Sequence, residues 1–427
     1  MNELFRWNEL ADQPHNVASK KERFRSHWKH ARSYLHLFRI NLPLLVPGLS
    51  LYRKIRRKMY RQTLSLNKAI GVAVTPLESK KAEIFHYLEE LGVKNVLVRL
   101  ASWEREKINQ YESFIARLNR RGYSVLVALL QNRYDVLEPA RWQQFLRLAF
   151  ERLSPYATYF ELGHAWNRTK WGLWSFQEYL ELARPALALA EEYRVKLVGP
   201  AVIDFEFHLY PAVLREIKFD VISSLLYVDR TGAPENAQWG WTLEKKLALL
   251  RAIIDLTPCK TRPCWITEFN WPLKGMEPYS PAPGRPCVSL EDQANFLVRY
   301  FVLGLASGLV ERLYWWQLAA RGYGLIDPLS SPWEIRPSFR ALRTLQSFIE
   351  GSIFRGREFH PRAWIFHFER GKERLAVVWT KKGSLEYRFN RPVSQVFDRD
   401  GEALDFKGER VKIEARPKYV FFEADTL

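Results

Sequence analysis

Only three cysteines occur in 427 residues, Cys259, Cys264 and Cys287, an odd number confined to one stretch. They lack the Cys/His spacing of a zinc site, and no disulfide framework organises the chain. The thiols therefore read as small core or loop residues in a reducing compartment. Long hydrophobic runs are missing as well. The nearest candidate, residues 34–52, is broken by His36, Arg39, Asn41, Pro43 and Pro47, which excludes a transmembrane helix. The opening Met1-Asn2-Glu3-Leu4 has neither the basic start nor the apolar run of a secretory signal, so a cytoplasmic protein is expected. Phosphate-cradling glycine loops, internal repeats and low-complexity segments are absent too, and no metal or organic cofactor is expected.

Acidic residues are scarce at the start. Residues 1–68 hold 15 Lys/Arg against 4 Asp/Glu, 15 − 4 = +11 of the formal +18, which leaves +7 for the other 359 residues. A surplus gathered in one segment points to a local anionic contact and argues against a nucleic-acid groove across the fold. The segment reads as a basic helical extension in which Phe24, Trp28, Leu35 and Phe38 share a face. Six cations follow between Arg53 and Arg61. Each adds roughly 1 kcal/mol of attraction to an anionic leaflet when held at its surface, so residues 1–68 read either as a peripheral attachment to the inner membrane or as a solvated helical segment packed on the barrel.

What is present from Ala69 onward is alternation. Apolar runs at Ala69–Val74, Val93–Val98, Ser124–Leu130, Tyr159–Leu162, Lys196–Gly199, Asp220–Leu225, Cys264–Thr267 and Arg312–Trp316 are separated by segments with apolar residues at helical spacing. Those at residues 80–91, 111–121, 142–153 and 174–193 are the clearest. Eight such units over residues 69–350 predict a closed (β/α)8 barrel, and 47% hydrophobic residues suffice to fill it. After a helix at Pro337–Ile349 the texture changes to short β-rich runs punctuated by glycine. Residues 351–427 therefore read as a small antiparallel β-sandwich domain.

In such a barrel the chemistry sits where the strands end, so the residues closing each run are the candidates. The seventh run ends Thr267-Glu268-Phe269-Asn270-Trp271. A carboxylate there, flanked by aromatics, can attack or stabilise a sugar carbon with oxocarbenium character, or can simply serve an ion pair. Sixteen tryptophans are many for this length, and Trp166, Trp171, Trp174, Trp239, Trp241 and Trp271 fall on loops at this face. Flat indoles stack on pyranose rings, and they also pack long loops.

Residues 266–269, Ile-Thr-Glu-Phe, resemble the nucleophile strand of clan A glycoside hydrolases, particularly the relatives of β-xylosidases and α-iduronidases. The stretch 159–167, Tyr-Phe-Glu-Leu-Gly-His-Ala-Trp-Asn, is similar to the family's fourth strand, and Gly199-Pro200-Ala201 to the end of its fifth. The resemblance covers roughly residues 69–427. It implies Glu268 as nucleophile, Arg99 paired with it, Tyr227 orienting it, Trp315 and Trp316 at the sugar subsite, and Glu161, Asn167 and Trp271 among the substrate-binding residues. The implied partner is an oligo- or polysaccharide.

The chain departs from the family in the fourth strand, where His164 and Ala165 replace Asn and the acid/base Glu. A methyl group donates no proton. His164 is the first substitute, because an imidazole of ordinary pKa donates near neutrality. Glu161, Asp204, Glu206, Asp229 and Glu235 are the others. Three readings stay open: a hydrolase with an atypical acid, a catalytically retired glycan-binding protein at a membrane surface in envelope polysaccharide assembly, and an enzyme for activated donors.

Overall fold

The structure, a computed structural model, describes all residues except 1–3, 18, 20, 23–24, 26–27, 29–30, 230–231, 261, 281–286 and 424–427. Eight parallel strands close into a barrel: β1 (Ile70–Val74), β2 (Asn95–Ala101), β3 (Ser124–Leu130), β4 (Tyr159–Leu162), β5 (Lys196–Ile203), β6 (Val221–Leu225), β7 (Cys264–Phe269) and β8 (Arg312–Trp315). Each coincides with one of the apolar runs. Strands covered on both faces must be apolar on both, which is why they appear as runs rather than as alternation. Side chains such as Leu97, Leu126, Trp265 and Tyr314 fill the interior, while Ile266, Leu313 and Trp315 face the surrounding helices. Gly71 is needed for this filling. A Cβ there would lie 2.5 Å from the Tyr314 ring.

The N-terminal 68 residues depart from a uniform run of helices. Helices α1 (Ala31–Asn41) and α2 (Leu45–Lys58) form, joined by a single turn at Leu42–Leu44, and α2 packs along α3 (Leu243–Asp255) on the barrel wall. Residues 7–14 instead form a two-rung antiparallel ladder, Trp7 opposite Pro14 and Asn8 opposite Gln13. The Asn8 side chain accepts from the backbone N–H of Leu10 (3.1 Å) and Ala11 (3.3 Å), a local turn that competes with helix, and Pro14 removes a donor. Of the aromatic face expected in this segment, Trp28, Leu35 and Phe38 are exposed, and Phe24 lies outside the described residues. Among the described residues no helix is long and apolar enough to cross a membrane.

After the helix Pro337–Ile349, antiparallel strands make the C-terminal domain. Its main sheet has seven strands, and a smaller ladder, Leu385–Tyr387 with Val411–Ile413, covers an apolar core that includes Ile365, Val378, Val420 and Ile413. The strand Ile353–Phe359 carries Arg355, Arg357 and Glu358 on partly solvated positions, so it showed no apolar run. Its outer neighbour is Leu64–Ser65, which ties the end of the N-terminal segment into this sheet.

Candidate active site

Glu268 lies at the C-terminal end of β7, where the register with both neighbouring strands shifts. Such an irregularity re-aims a side chain, and this one is directed to the barrel mouth. Both carboxylate oxygens are held. Tyr227 donates its hydroxyl to Oε1 at 2.6 Å, and Arg99, from β2, donates Nη2 to Oε2. Arg99 in turn lies on the Trp316 ring, its guanidinium carbon 3.3 Å from the ring centre. A guanidinium stacked on an indole and tied to a carboxylate has little freedom left. The structure thus brings Glu268, Arg99, Tyr227, His164 and Trp316 around one recess of about 100 Å³.

His164 Nε2 is 3.0 Å from Arg99 Nη2 and 3.5 Å from Glu268 Oε2. Guanidinium only donates, so Nε2 is an acceptor and the ring proton belongs on Nδ1. Burial, followed by the Arg99 and Lys170 charges, holds the imidazole well below its ordinary range. A ring whose Nε2 faces the Arg99 guanidinium directs no proton from that nitrogen toward Glu268. Its backbone is clamped instead. Gln131 accepts from the His164 N–H at 2.9 Å and donates to the His164 carbonyl at 3.0 Å.

The other candidate donors lie elsewhere. Glu161 is buried inside the barrel, where it accepts the Thr267 hydroxyl at 2.6 Å and does not line the recess. Asp204 and Glu206 are both engaged by Arg168. Asp229 accepts from the Asn236 side chain, and Glu235 is buried against Arg299 and Trp379 at the C-terminal domain. Ala165, fully buried in the left-handed region at φ 43°, lies in the loop that follows β4 and has no proton donor of its own.

Burial pushes the Glu161 carboxyl up to about 7. A folded pKa above the unfolded value means that folding takes up a proton, so the stabilising contribution is full below about pH 4.5 and disappears as pH rises through 7. Wild-type stability should therefore fall by on the order of 3 kcal/mol between pH 4.5 and 7.5 from this group alone. Glu161→Gln should flatten that slope in denaturation curves recorded across the range. An unchanged slope would remove Glu161 as its source.

Several residues expected at the sugar face away from it. Trp315 is fully buried and packs edge-on to Phe269 in the helix-facing core, because adjacent residues on a strand point to opposite sides. Of Trp315 and Trp316, the latter alone reaches the mouth. Trp271 donates its indole N–H to the carbonyls of Asp229 and Gly232 (2.9 and 3.0 Å) and stacks on Trp315. Asn167 pairs through its amide with both backbone groups of Ile203, stapling the loop after β4 to the end of β5. Trp166 donates to the Pro200 carbonyl, Trp174 lies under Arg133, Trp241 packs on Phe205, and Trp239 is 88% exposed. Of the loop tryptophans only Trp171 lines the recess. Trp271→Ala should accordingly cost about 3–5 kcal/mol in chemical denaturation, with ligand affinity of the folded variant nearly unchanged.

The motifs gave no sign of the residues that reach the recess from the N-terminal segment, Ala11, Asp12 and Gln13. Asp12 reaches the recess from the N-terminal ladder, 3.6 Å from Arg99 Nη1. Burial pushes its carboxyl up, Arg99 draws it down, and Glu268 pushes it up again. The available signal was weak: all four acidic residues of the first 68, Glu3, Glu9, Asp12 and Glu22, precede residue 23, so the opening stretch differs from the basic helices that follow.

No protein-family model and no curated protein matches the chain by sequence. Solved structures do match. A family 39 glycoside hydrolase from Bacteroides cellulosilyticus WH2 superposes with a TM-score of 0.66 at 14% identity, over 84% of this chain and 81% of that one. A GH51 arabinofuranosidase from Xanthomonas axonopodis pv. citri gives 0.60 at 12%, over 84% and 97%. A GH30 endoxylanase from Clostridium papyrosolvens C71 gives 0.58 at 11%, over 86% and 98%. At these identities the likeness concerns the backbone, and the chain has the (β/α)8-barrel fold of these clan A glycoside hydrolases, with a β-sandwich domain following it.

Proposed function

We propose that this chain is a carbohydrate-active barrel that takes an oligo- or polysaccharide at its mouth, with Glu268 as the nucleophile. The observation that carries this reading is the double anchoring of Glu268. Tyr227 and Arg99 each hold one oxygen, which keeps the carboxylate aimed at the recess, as attack on a sugar carbon requires. Arg99, Tyr227 and Trp316 are positioning and binding residues in this reading, and His164 fixes Arg99 as a neutral acceptor. A mechanism-based fluoroglycoside with a dinitrophenyl leaving group tests it. Covalent label on the peptide carrying Glu268 is expected, and label elsewhere would refute the assignment.

The lack of a donor at Ala165 favours a second reading, a glycan-binding protein without turnover, engaged in envelope polysaccharide assembly. The two differ in one result. Oligosaccharide binding with no covalent label would select the binder.

We also propose that the barrel works against an anionic bilayer. Half of the exposed large apolar side chains among the described residues fall between 28 and 49, and the joint of α1 and α2 presents Leu42, Leu45 (62% exposed) and Val46 (80%) outward. No acidic residue occurs from Arg23 to Leu77, while Arg53, Lys54, Arg57 and Lys58 are exposed along α2. An apolar tip with cations behind it matches an acidic leaflet and no neutral surface. Co-sedimentation with phosphatidylglycerol vesicles should weaken with salt. Val46→Glu should remove about 2 kcal/mol, a factor of roughly 30 in partitioning. Equal pelleting with phosphatidylcholine at all salt concentrations would count against the charge component.

A further inference from the structure

The ladder at residues 7–14 lies over the barrel mouth, where any ligand must enter. Trp7 is wedged between Trp103 and Trp171, with ring centres 5.1 and 5.9 Å away, and Gln13 accepts from Lys170 Nζ at 2.6 Å. Between them Asp12 turns inward with φ 50°, in the left-handed region that aspartate tolerates better than most residues. Its Oδ2 lies 3.4 Å from Gln317 Nε2, 3.5 Å from the Tyr323 hydroxyl and 3.6 Å from Arg99 Nη1. Three donors converge on one oxygen, yet every contact is longer than the 2.7–3.2 Å of a well-made hydrogen bond. The site thus holds an oxygen it does not grip tightly, and that oxygen belongs to a carboxylate placed beside another, Glu268.

Position decides what Asp12 does. Its contacts come from β2 and from the segment after β8, and in the closed barrel β4 lies directly across from β8. The carboxylate therefore approaches Glu268 from the side of the mouth opposite the strand that leads to Ala165. It fills the space between Arg99, Trp316 and Glu268, where a sugar ring would present its hydroxyls. With the ladder in place about 100 Å³ remains, whereas sites for small organic ligands usually run from roughly 300 to 1,000 Å³.

We infer that residues 7–14 are an internal cap, with the Asp12 carboxylate occupying the place of a sugar hydroxyl, and that a glycan binds only when the cap lifts. This rests on the glycan-site reading above. The ladder carries its own turn at Asn8 and its own pairing, so it can move as a unit. Affinity measured on the whole chain is then the intrinsic affinity reduced by the fraction of molecules with an open cap.

The test uses the full chain, Asp12→Ala, Asp12→Asn, and Trp7→Ala combined with Asp12→Ala, each checked by melting temperature. The probes are dinitrophenyl 2-deoxy-2-fluoro glycosides of the gluco, xylo, galacto and manno series, with labelling of Glu268 followed by intact mass. Asp12→Ala is expected to accelerate labelling by about tenfold or more, the gain when a cap closed over nine-tenths of the time is released. The double variant should be faster still, and Asp12→Asn intermediate. Equal rates in wild type and variants would overturn the cap and leave the nucleophile reading standing. Slower labelling in the Asp12 variants would also overturn it, by making Asp12 a participant. Failure of every folded protein to label would overturn Glu268 as nucleophile and pass the test of the cap to binding: affinity for xylo- and gluco-oligosaccharides should rise about tenfold in Asp12→Ala, and equal affinity in wild type and variant would overturn the cap.

Discussion

Glu268→Gln is expected to lower turnover of an activated glycoside by roughly 10⁴-fold or more, the scale of loss when the attacking group of a covalent mechanism is removed. The substitution keeps shape and removes charge. A glutamine can turn its carbonyl oxygen toward Arg99 and its amide toward the Tyr227 hydroxyl, which then accepts instead of donating, so both existing contacts have a replacement. Arg99 loses its principal counter-charge but stays stacked on Trp316 and close to Asp12. The fold should therefore survive with a modest loss of stability, because the guanidinium is not left alone in the interior. Turnover within tenfold of wild type, in a protein shown to be folded, would sink Glu268 as nucleophile. A loss confined to KM would make it a binding group instead.

The barrel was legible because its strands are buried on both faces and so carry unbroken apolar runs, such as Ser124–Leu130, whose predicted and observed limits agree. The recess was legible through residues that close strands, Arg99, Tyr227 and Glu268, since a closed barrel leaves their side chains only one common place to meet. The tryptophans were not. Trp271 and Trp316 have the same chemistry in the sequence, and only the direction of the local backbone decides that one packs on Trp315 and the other floors the recess. The surroundings of His164 were not legible for a related reason. Its ordinary pKa is a property of the residue, whereas its behaviour here follows from burial and the neighbouring Arg99. Asp12 was least accessible of all, because nothing periodic in residues 4–17 signals that a two-rung ladder will dock more than 80 residues away from Arg99 in sequence and beside it in space.

Ala165→Glu tests the missing acid and is expected to raise turnover of unactivated glycosides by roughly 10²- to 10⁴-fold, the usual worth of a positioned general acid. The backbone at this position already has φ 43°, so a longer side chain adds no new strain of the kind a glycine would relieve. Room is the obstacle. Ala165 is fully buried in the same apolar cluster as Trp171, and the cap reduces the free space over the site. The gain should therefore appear in full only when Asp12→Ala is introduced as well, and the two substitutions should be more than additive on a logarithmic scale. Once seated, the new carboxyl would face Glu268, whose negative charge and the surrounding burial both favour its protonated form, as an acid working near neutrality requires. Dinitrophenyl glycosides, which depart without a proton, should change by less than about tenfold, and the pH profile for unactivated substrates should gain a falling limb above the pKa of the new acid. A rise that is equal for both substrate classes would point to better binding, not to proton transfer. No rise in either background, together with measurable oligosaccharide affinity, would mean that the barrel has lost more than its acid and would decide for the glycan-binding reading.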